Sequence, residues 1–69
     1  MNLKLNKNVA GHVYEGRYGQ YEIKIEKGVS NKQTNWYPYI KVGGYWKLVS
    51  YYPTFKQAKT VLKQRIDNI

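Results

Sequence analysis

Cysteine is missing from the sequence, and histidine occurs once, as His12. Without thiolates and with one imidazole, the chain can form neither disulfide bonds nor the Cys/His sets that hold structural zinc. No apolar stretch approaches the length of a bilayer span, and the first residues lack the apolar segment of an export signal. These absences predict a cytoplasmic protein with no metal, no cofactor and no membrane partner.

Acidic residues are also scarce, with 4 Asp and Glu against 12 Lys and Arg, which gives a net charge of +8. Between Lys27 and Ile66 the sequence contains no carboxylate side chain at all. Such self-repulsion lowers stability and is tolerated for solubility or for an anionic partner. We therefore predict a nucleic-acid-binding protein, with DNA preferred over RNA, and keep an acidic protein surface as the alternative partner.

Catalysis finds little support in the sequence. Nothing in the spacing of His12 and the hydroxyl residues predicts a nucleophile–base pair, and there is neither a carboxylate cluster nor a glycine-rich phosphate loop. Residues 11–14, Gly-His-Val-Tyr, resemble the histidine-bearing strand of HicA-type toxins, which are RNA-cleaving proteins. Those proteins begin with a helix that this sequence does not predict, so we expect no catalytic residue and no enzyme.

Three strands are predicted within a single domain that spans residues 1–69, which could be a monomer or a homodimer. Residues 20–26 alternate strictly between apolar and charged side chains, as in a half-buried strand. A polar hairpin loop over residues 28–35 should follow, and then strands over residues 36–42 and 46–51. Because Pro38 has no amide proton, its strand should lie at an edge, or Pro38 should face an unpaired side.

The turn around Gly43 and Gly44 decides which side chains share a face. A three-residue loop that includes Tyr45 pairs Val42 with Trp46, and a two-residue loop pairs Val42 with Tyr45. Only the three-residue loop collects the apolar residues on one face, so we choose it. The predicted core face then carries Tyr21, Ile23, Ile25, Ile40, Val42, Trp46 and Leu48.

A helix is predicted to follow Thr54, because Thr54 and Gln57 have the spacing of a capping box. Its apolar stripe would consist of Phe55, Ala58, Val61, Leu62, Ile66 and Ile69. The predicted fold class is α+β: a three-stranded antiparallel sheet packed on one C-terminal helix (β-β-β-α). Residues 12–14 are a candidate for a short extra N-terminal strand.

The sheet face away from the helix is the predicted nucleic-acid surface. Lysines there would neutralise phosphates, and tyrosine rings would stack on bases or pack against sugars. Ordinary cross-strand pairing would explain the same tyrosines equally well. On the helix, Lys56, Lys59 and Lys63 share one side and could either clamp phosphates or simply be solvated. The predicted nucleic-acid-binding residues in the sheet and its loop are Lys24, Lys32, Tyr37, Tyr39, Lys41, Lys47 and Tyr51.

Two stretches resemble the AP2 and integrase amino-terminal DNA-binding group. Residues 14–25, YEGRYGQYEIKI, are similar to the opening strands of those domains, and residues 52–59, YPTFKQAK, resemble their helix entry. The resemblance implies a three-stranded sheet in the DNA major groove, with Arg17 and Lys24 among the contacts. The sequence departs from that group in having few arginines in its strands and in placing Glu22 and Glu26 on the proposed face.

Overall fold

The computed structural model describes residues 4–7 and 12–68. The described residues form five strands and then one helix. In chain order these are β1 (Lys4–Lys7), β2 (Val13–Tyr18), β3 (Tyr21–Ser30), β4 (Gln33–Val42), β5 (Tyr45–Leu48) and α1 (Phe55–Asp67). The strands form one antiparallel sheet in the order β1-β2-β3-β4-β5, in which every strand pairs with its neighbours in sequence. The helix lies on one face of this sheet.

The predicted three-stranded sheet is wrong, because the described residues form a five-stranded sheet. The two additional strands are β1 and β2, and the turn after β2 consists of Gly19 and Gln20 alone, since Tyr18 pairs with Tyr21. The α1-facing side of β2 is made of Tyr14, Gly16 and Tyr18 rather than aliphatic residues. Its sequence therefore lacks the apolar alternation that identified β3.

Two hairpin turns are tighter than predicted. Gly43 and Gly44 have φ of 60° and 85°, as in a two-residue type I′ turn, and Val42 pairs with Tyr45. The three-residue loop is therefore wrong, and so is the long polar loop over residues 28–35. Instead, Ser30 pairs with Gln33 across a two-residue turn in which both central residues have positive φ.

The corrected register after Gly44 changes the faces of β5. Ile40 pairs with Lys47, so Lys47 lies on the α1 side of the sheet. Tyr39 pairs with Leu48 and Lys41 with Trp46, so Trp46 and Leu48 lie on the opposite face, where they are 37% and 51% exposed. The sequence assigned both to the core, and that assignment is wrong.

The predicted helix is confirmed. Thr54 has an extended backbone, and its side chain accepts a hydrogen bond from the Gln57 amide at 3.2 Å, as expected for an N-cap. Ala58 and Leu62 are completely buried against the sheet, where α1 packs on β3 and β4. Among the residues whose burial the structure describes, the buried core is small and consists of Tyr18, Ile23, Ile25, Pro38, Ile40, Ala58 and Leu62. Ile69, the last member of the predicted stripe, lies outside the described residues.

An aromatic cluster extends this core at the start of α1. The ring of Phe55 lies 4.7 Å from that of Tyr14 and 5.3 Å from that of Trp36, between centroids. These separations and tilted orientations are favourable for aromatic pairs. Trp36 is therefore partly buried and packs against the core.

Pro38 lies inside the sheet, because β4 has neighbours on both sides. Its carbonyl accepts a hydrogen bond from the Val49 amide at 2.8 Å, and pairing resumes only between Trp36 and Tyr52. The chain between Leu48 and Tyr52 holds one residue more than the facing stretch of β4, which is a β-bulge. Pro38 thus faces an interrupted part of the ladder, which was the second of the two predicted alternatives.

Within residues 4–7 and 12–68, no helix has both the length and the apolar character needed to cross a membrane.

Candidate nucleic-acid interface

The face of the sheet away from α1, here named the open face, carries five of the eight predicted binding residues, and a sixth lies beside it. Strand alternation and pairing place Arg17, Lys24, Tyr37, Tyr39 and Lys41 there, and Tyr51 lies beside it with its ring 6.2 Å from that of Tyr37. Trp46 joins them because of the corrected register. The structure therefore brings the predicted tyrosines together with Arg17, Lys24 and Lys41, but it places Lys32 and Lys47 elsewhere.

Lys24 lies at the centre of the open face and is largely covered by its neighbours. Its Nζ lies 4.8 Å from the ring centroid of Tyr39 and 4.7 Å from that of Trp46, both within cation–π range. The same Nζ is 3.4 Å from Oε1 of Glu26, and only 17% of the lysine side chain is exposed. Lys24 is therefore already engaged by protein groups, which leaves it little access to a phosphate.

Lys41 is more accessible than Lys24 but is also paired. Its Nζ lies 3.4 Å from Oε2 of Glu22 and 5.7 Å from the Trp46 ring centroid. Exposed ion pairs of this kind contribute about 0–1 kcal/mol, so the pair orients the lysine more than it stabilises the fold. For an incoming phosphate, the glutamate is a repulsive neighbour.

Tyr39 has its pKa raised above the usual tyrosine range, first because the phenol is partly buried and then because the Glu26 carboxylate lies nearby. Both causes disfavour the phenolate. The Tyr39 hydroxyl therefore remains a neutral hydrogen-bonding group at physiological pH.

Among the side chains that the structure describes, the charges on the open face cancel. The bases Arg17, Lys24 and Lys41 are matched by three carboxylates, since Glu15, Glu22 and Glu26 share the same face by register. Three of the four acidic residues of the whole chain therefore lie on the predicted nucleic-acid surface. A polyanion gains little from a surface whose described side chains carry no net charge.

The remaining two predicted residues lie elsewhere. Lys47 is on the α1 side of β5, and Lys32 is at the tip of the β3–β4 hairpin, where it is exposed. Lys47 was assigned to the open face because the predicted loop was one residue too long, and a shift of one residue reverses the faces of a strand.

The α1 side of the molecule carries the surplus of positive charge. The cationic side chains that the structure describes there are Lys27, Lys47, Lys56, Lys59, Lys63 and Arg65. Against these six stands one carboxylate, Asp67, so the described side chains on this side sum to +5 (six minus one). Asp67 is itself held by the Tyr18 hydroxyl at 2.7 Å. The electrostatic field of the protein is therefore polarised, with its positive side at the helix.

Two separate groups of cations lie on opposite flanks of α1. The lysine row, defined as Lys56, Lys59 and Lys63, has the spacing i, i+3 and i+7, and all three side chains are exposed. By helical angle this row lies on the flank of Asp67, whose carboxylate contacts Tyr18 of β2. The opposite flank forms a groove against β5.

The groove between β5 and α1 has a volume of about 570 Å³. Its walls are mostly apolar and include Val42 of β4, Val49 just after β5 and Val61 of α1, while Lys47 and Arg65 line it with positive charge. The predicted register could not reveal this groove, because it directed Lys47 to the other face. The groove is lined by Ile40, Val42, Lys47, Leu48, Val49, Val61, Gln64, Arg65 and Asn68.

No candidate metal centre is present in the described part of the chain. There, no group of three or more His, Asp or Glu side chains is close enough to hold a metal ion. His12 is exposed just before β2, and its carbonyl accepts a hydrogen bond from the Lys27 amide at 2.7 Å. The expectation that the chain is not an enzyme stays a prediction.

Comparison with known proteins gives no match: no protein-family model, no curated protein and no solved structure is similar to this chain. The resemblance to the AP2 and integrase group therefore stays a prediction.

Proposed function

We propose that the chain binds nucleic acid by its sugar-phosphate backbone, with the lysine row of α1 rather than the open face as the contact surface. Duplex DNA is the partner expected first. The observation that carries the proposal is the separation of charge among the described side chains: those of the open face balance, while those of the α1 side comprise six cations and one carboxylate.

The lysine row has a suitable size for this role. Lys56 and Lys63 are seven residues apart, which corresponds to about 10 Å along a helix. One DNA strand advances about 3.4 Å per phosphate, so this length is matched to roughly three phosphates. Lysines on flexible stems neutralise phosphates without reading base edges, and such contacts give affinity that does not depend on sequence.

Salt dependence provides a quantitative expectation. Each neutralised phosphate of duplex DNA contributes about −0.9 to the slope of log K against log salt concentration. Three to five contacts from the α1 side should give a slope of roughly −3 to −5. This is shallower than a surface using every cation of the chain would give.

Two charge-matched variants test the location of the site. The first replaces Lys56, Lys59 and Lys63 by glutamine, and the second replaces Arg17, Lys32 and Lys41 by glutamine. Both variants lower the net charge by the same amount, and the second leaves Lys24 in place under Trp46. We expect the first variant to lose at least about tenfold in affinity for duplex DNA and to reduce the salt slope by about 2–3, and the second to bind nearly as the wild type.

A gel shift with labelled duplex DNA, single-stranded DNA and RNA across a salt series measures these outcomes. If the second variant loses affinity and the first does not, the open face is the binding surface and the lysine row is not. Equal losses would show that only the overall charge matters, which would also overturn the site. No retention of any nucleic acid by the wild type at about 50 mM salt would reject nucleic-acid binding and favour an acidic protein partner.

A further inference from the structure

We infer that the free edge of β5 is a docking site for an extended segment of a partner protein in which an acidic residue lies between apolar ones. β5 is the last strand of the sheet, so one of its edges has no neighbouring strand among residues 4–7 and 12–68. Apolar side chains around it are unusually exposed: Val42 by 43%, Tyr45 by 77%, Trp46 by 37% and Leu48 by 51%. Exposed apolar edge strands are templates for pairing with another chain.

Hydrogen-bond alternation shows which backbone groups are available at this edge. Val42 and Tyr45 flank a two-residue turn and therefore form a hydrogen-bonded pair, as do Ile40 and Lys47. The amides and carbonyls of Tyr45 and Lys47 thus point to β4. Those of Trp46 and Leu48 point away from β4, where an added strand would pair with them.

The side chains around the edge define the chemistry of the partner. An antiparallel strand that pairs with Trp46 and Leu48 places its central residue directly opposite Lys47, on the α1 side. Lys47 and Arg65 both line the groove there, and an acidic side chain at that position would lie between two cations. The two flanking residues would lie on the open face beside Trp46 and Leu48, which favours apolar side chains.

A second copy of this chain fits the edge poorly. In a two-fold β5–β5 pairing that satisfies the outward groups of Trp46 and Leu48, the two Lys47 residues lie directly opposite each other. Like charges at such a cross-strand position are destabilising, and each chain brings a net charge of +8. The same cation that disfavours self-pairing favours a partner strand with a carboxylate, which is why the partner is assigned as acidic.

This inference does not depend on nucleic-acid binding. The lysine row lies on the other flank of α1, and the docking surface uses backbone groups that no phosphate contact needs. Variants of the lysine row should leave strand docking unchanged, and variants of β5 should leave phosphate binding by the lysine row largely unchanged.

A synthetic peptide provides the direct test. The probe is a capped heptapeptide, Val-Gln-Val-Glu-Val-Gln-Val, titrated into nitrogen-15-labelled protein while the backbone amide signals are followed by NMR. We expect saturable shifts that are largest at the amides of Trp46 and Leu48. Two control peptides of the same charge carry an N-methyl group either on the two valines next to the glutamate or on the glutamate itself.

The methylated peptides separate strand pairing from simple charge attraction. In the proposed register the valine amides face β5 and the glutamate amide faces solvent, so methylation of the valines should abolish binding and methylation of the glutamate should not. Equal binding of both methylated peptides would overturn the inference, as would shifts confined to the lysine row or the open face.

Exchanging the charges tests the role of Lys47. The variant Lys47→Glu should bind the glutamate peptide about tenfold more weakly and should prefer a peptide with lysine at the central position. Its dispersed amide spectrum provides the check that the variant is folded. If Lys47→Glu binds both peptides as the wild type does, the assignment of an acidic residue opposite Lys47 is wrong.

Discussion

The hydroxyl of Tyr18 donates a hydrogen bond of 2.7 Å to the carboxylate of Asp67, and so joins the end of β2 to the last turn of α1 across 49 residues of sequence. Tyr18 is only 4% exposed and belongs to the buried core. Asp67 is the one carboxylate on the positive side of the molecule, where it also lies at the helix end that disfavours negative charge. The hydrogen bond keeps that charge solvated by a protein donor.

Removing this hydroxyl should lower stability. Tyr18→Phe keeps the ring in the core and leaves Asp67 without its protein donor, so we expect both the free energy of unfolding and the Tm to fall. Thermal unfolding followed by circular dichroism measures both. Tyr21→Phe removes a hydroxyl at the other end of the same turn and is the matched control; an equal effect of both changes would contradict the assigned role.

Alkaline pH should remove the same stabilisation. The pKa of Tyr18 is raised above its ordinary value, first by the hydrogen bond to Asp67, then by burial and by the negative charge of Asp67. A raised folded-state pKa gives stability that is complete below the unfolded-state value near about 10 and is lost as pH rises through the folded-state value.

The difference in unfolding free energy between the wild type and Tyr18→Phe isolates this group, because the other titrating groups are common to both proteins. Urea unfolding between roughly pH 7 and pH 11 should give a constant difference up to about pH 10 and a smaller one above it. A difference that grows above pH 10 would show that the phenolate, not the phenol, is favoured in the folded state.

The β3–β4 turn contains an unfavourable backbone conformation that one substitution can relieve. Lys32 has φ of 63°, a region in which a residue with a side chain costs about 1 kcal/mol relative to glycine. Lys32→Gly creates the Asn-Gly pair preferred in type I′ turns, and we expect it to raise the free energy of unfolding by about 1 kcal/mol. Lys32→Ala removes the same charge but keeps the strain, so chemical denaturation should show no comparable gain for it. Equal stabilisation by both would assign the effect to charge.

Local patterns in the sequence were sufficient for the elements whose apolar residues contact the core. Ile23 and Ile25 alternate along β3 and are fully buried, and α1 begins after the Thr54 cap as its spacing predicted. In both cases the periodicity reports directly on burial, because β3 lies under the helix. Pro38 was also predictable from local chemistry: it has no amide proton to donate, and it lies where the β-bulge interrupts the ladder.

The register of β5 could not be predicted in this way. The choice of a three-residue loop assumed that Trp46 and Leu48 belong to the core, but a helix about 10 Å wide covers only about two strands spaced roughly 4.8 Å apart. Here those strands are β3 and β4, so β5 lies beyond the helix and its apolar side chains are free to take either face. The turn then decides the register, and two glycines at positive φ favour the two-residue type I′ turn. Because the predicted register placed Lys47 on the wrong face, the sequence could predict neither the groove nor the docking edge of β5.

The ring of Tyr37 lies over Gly28 on the neighbouring strand, which ties a residue of the open face to the shape of the β3–β4 hairpin. A Cβ atom added at Gly28 would lie 2.7 Å from Cε2 of Tyr37, a distance that real Cβ atoms essentially never show. The Tyr37 ring would have to move, although it is also packed beside Tyr51 at 6.2 Å between centroids. We therefore expect Gly28→Ala to lower the free energy of unfolding by about 1 kcal/mol through overpacking.

Removing the ring should reverse the sign of this effect. Gly28 does not have a positive φ, so alanine can adopt its backbone conformation, and in a Tyr37→Ala background the substitution mainly restricts the unfolded chain. There Gly28→Ala should be neutral or stabilising by up to about 1 kcal/mol. A double-mutant cycle measured by urea unfolding gives the coupling between the two positions. If Gly28→Ala destabilises both backgrounds equally, the cost arises in the strand backbone itself and not from the contact with Tyr37.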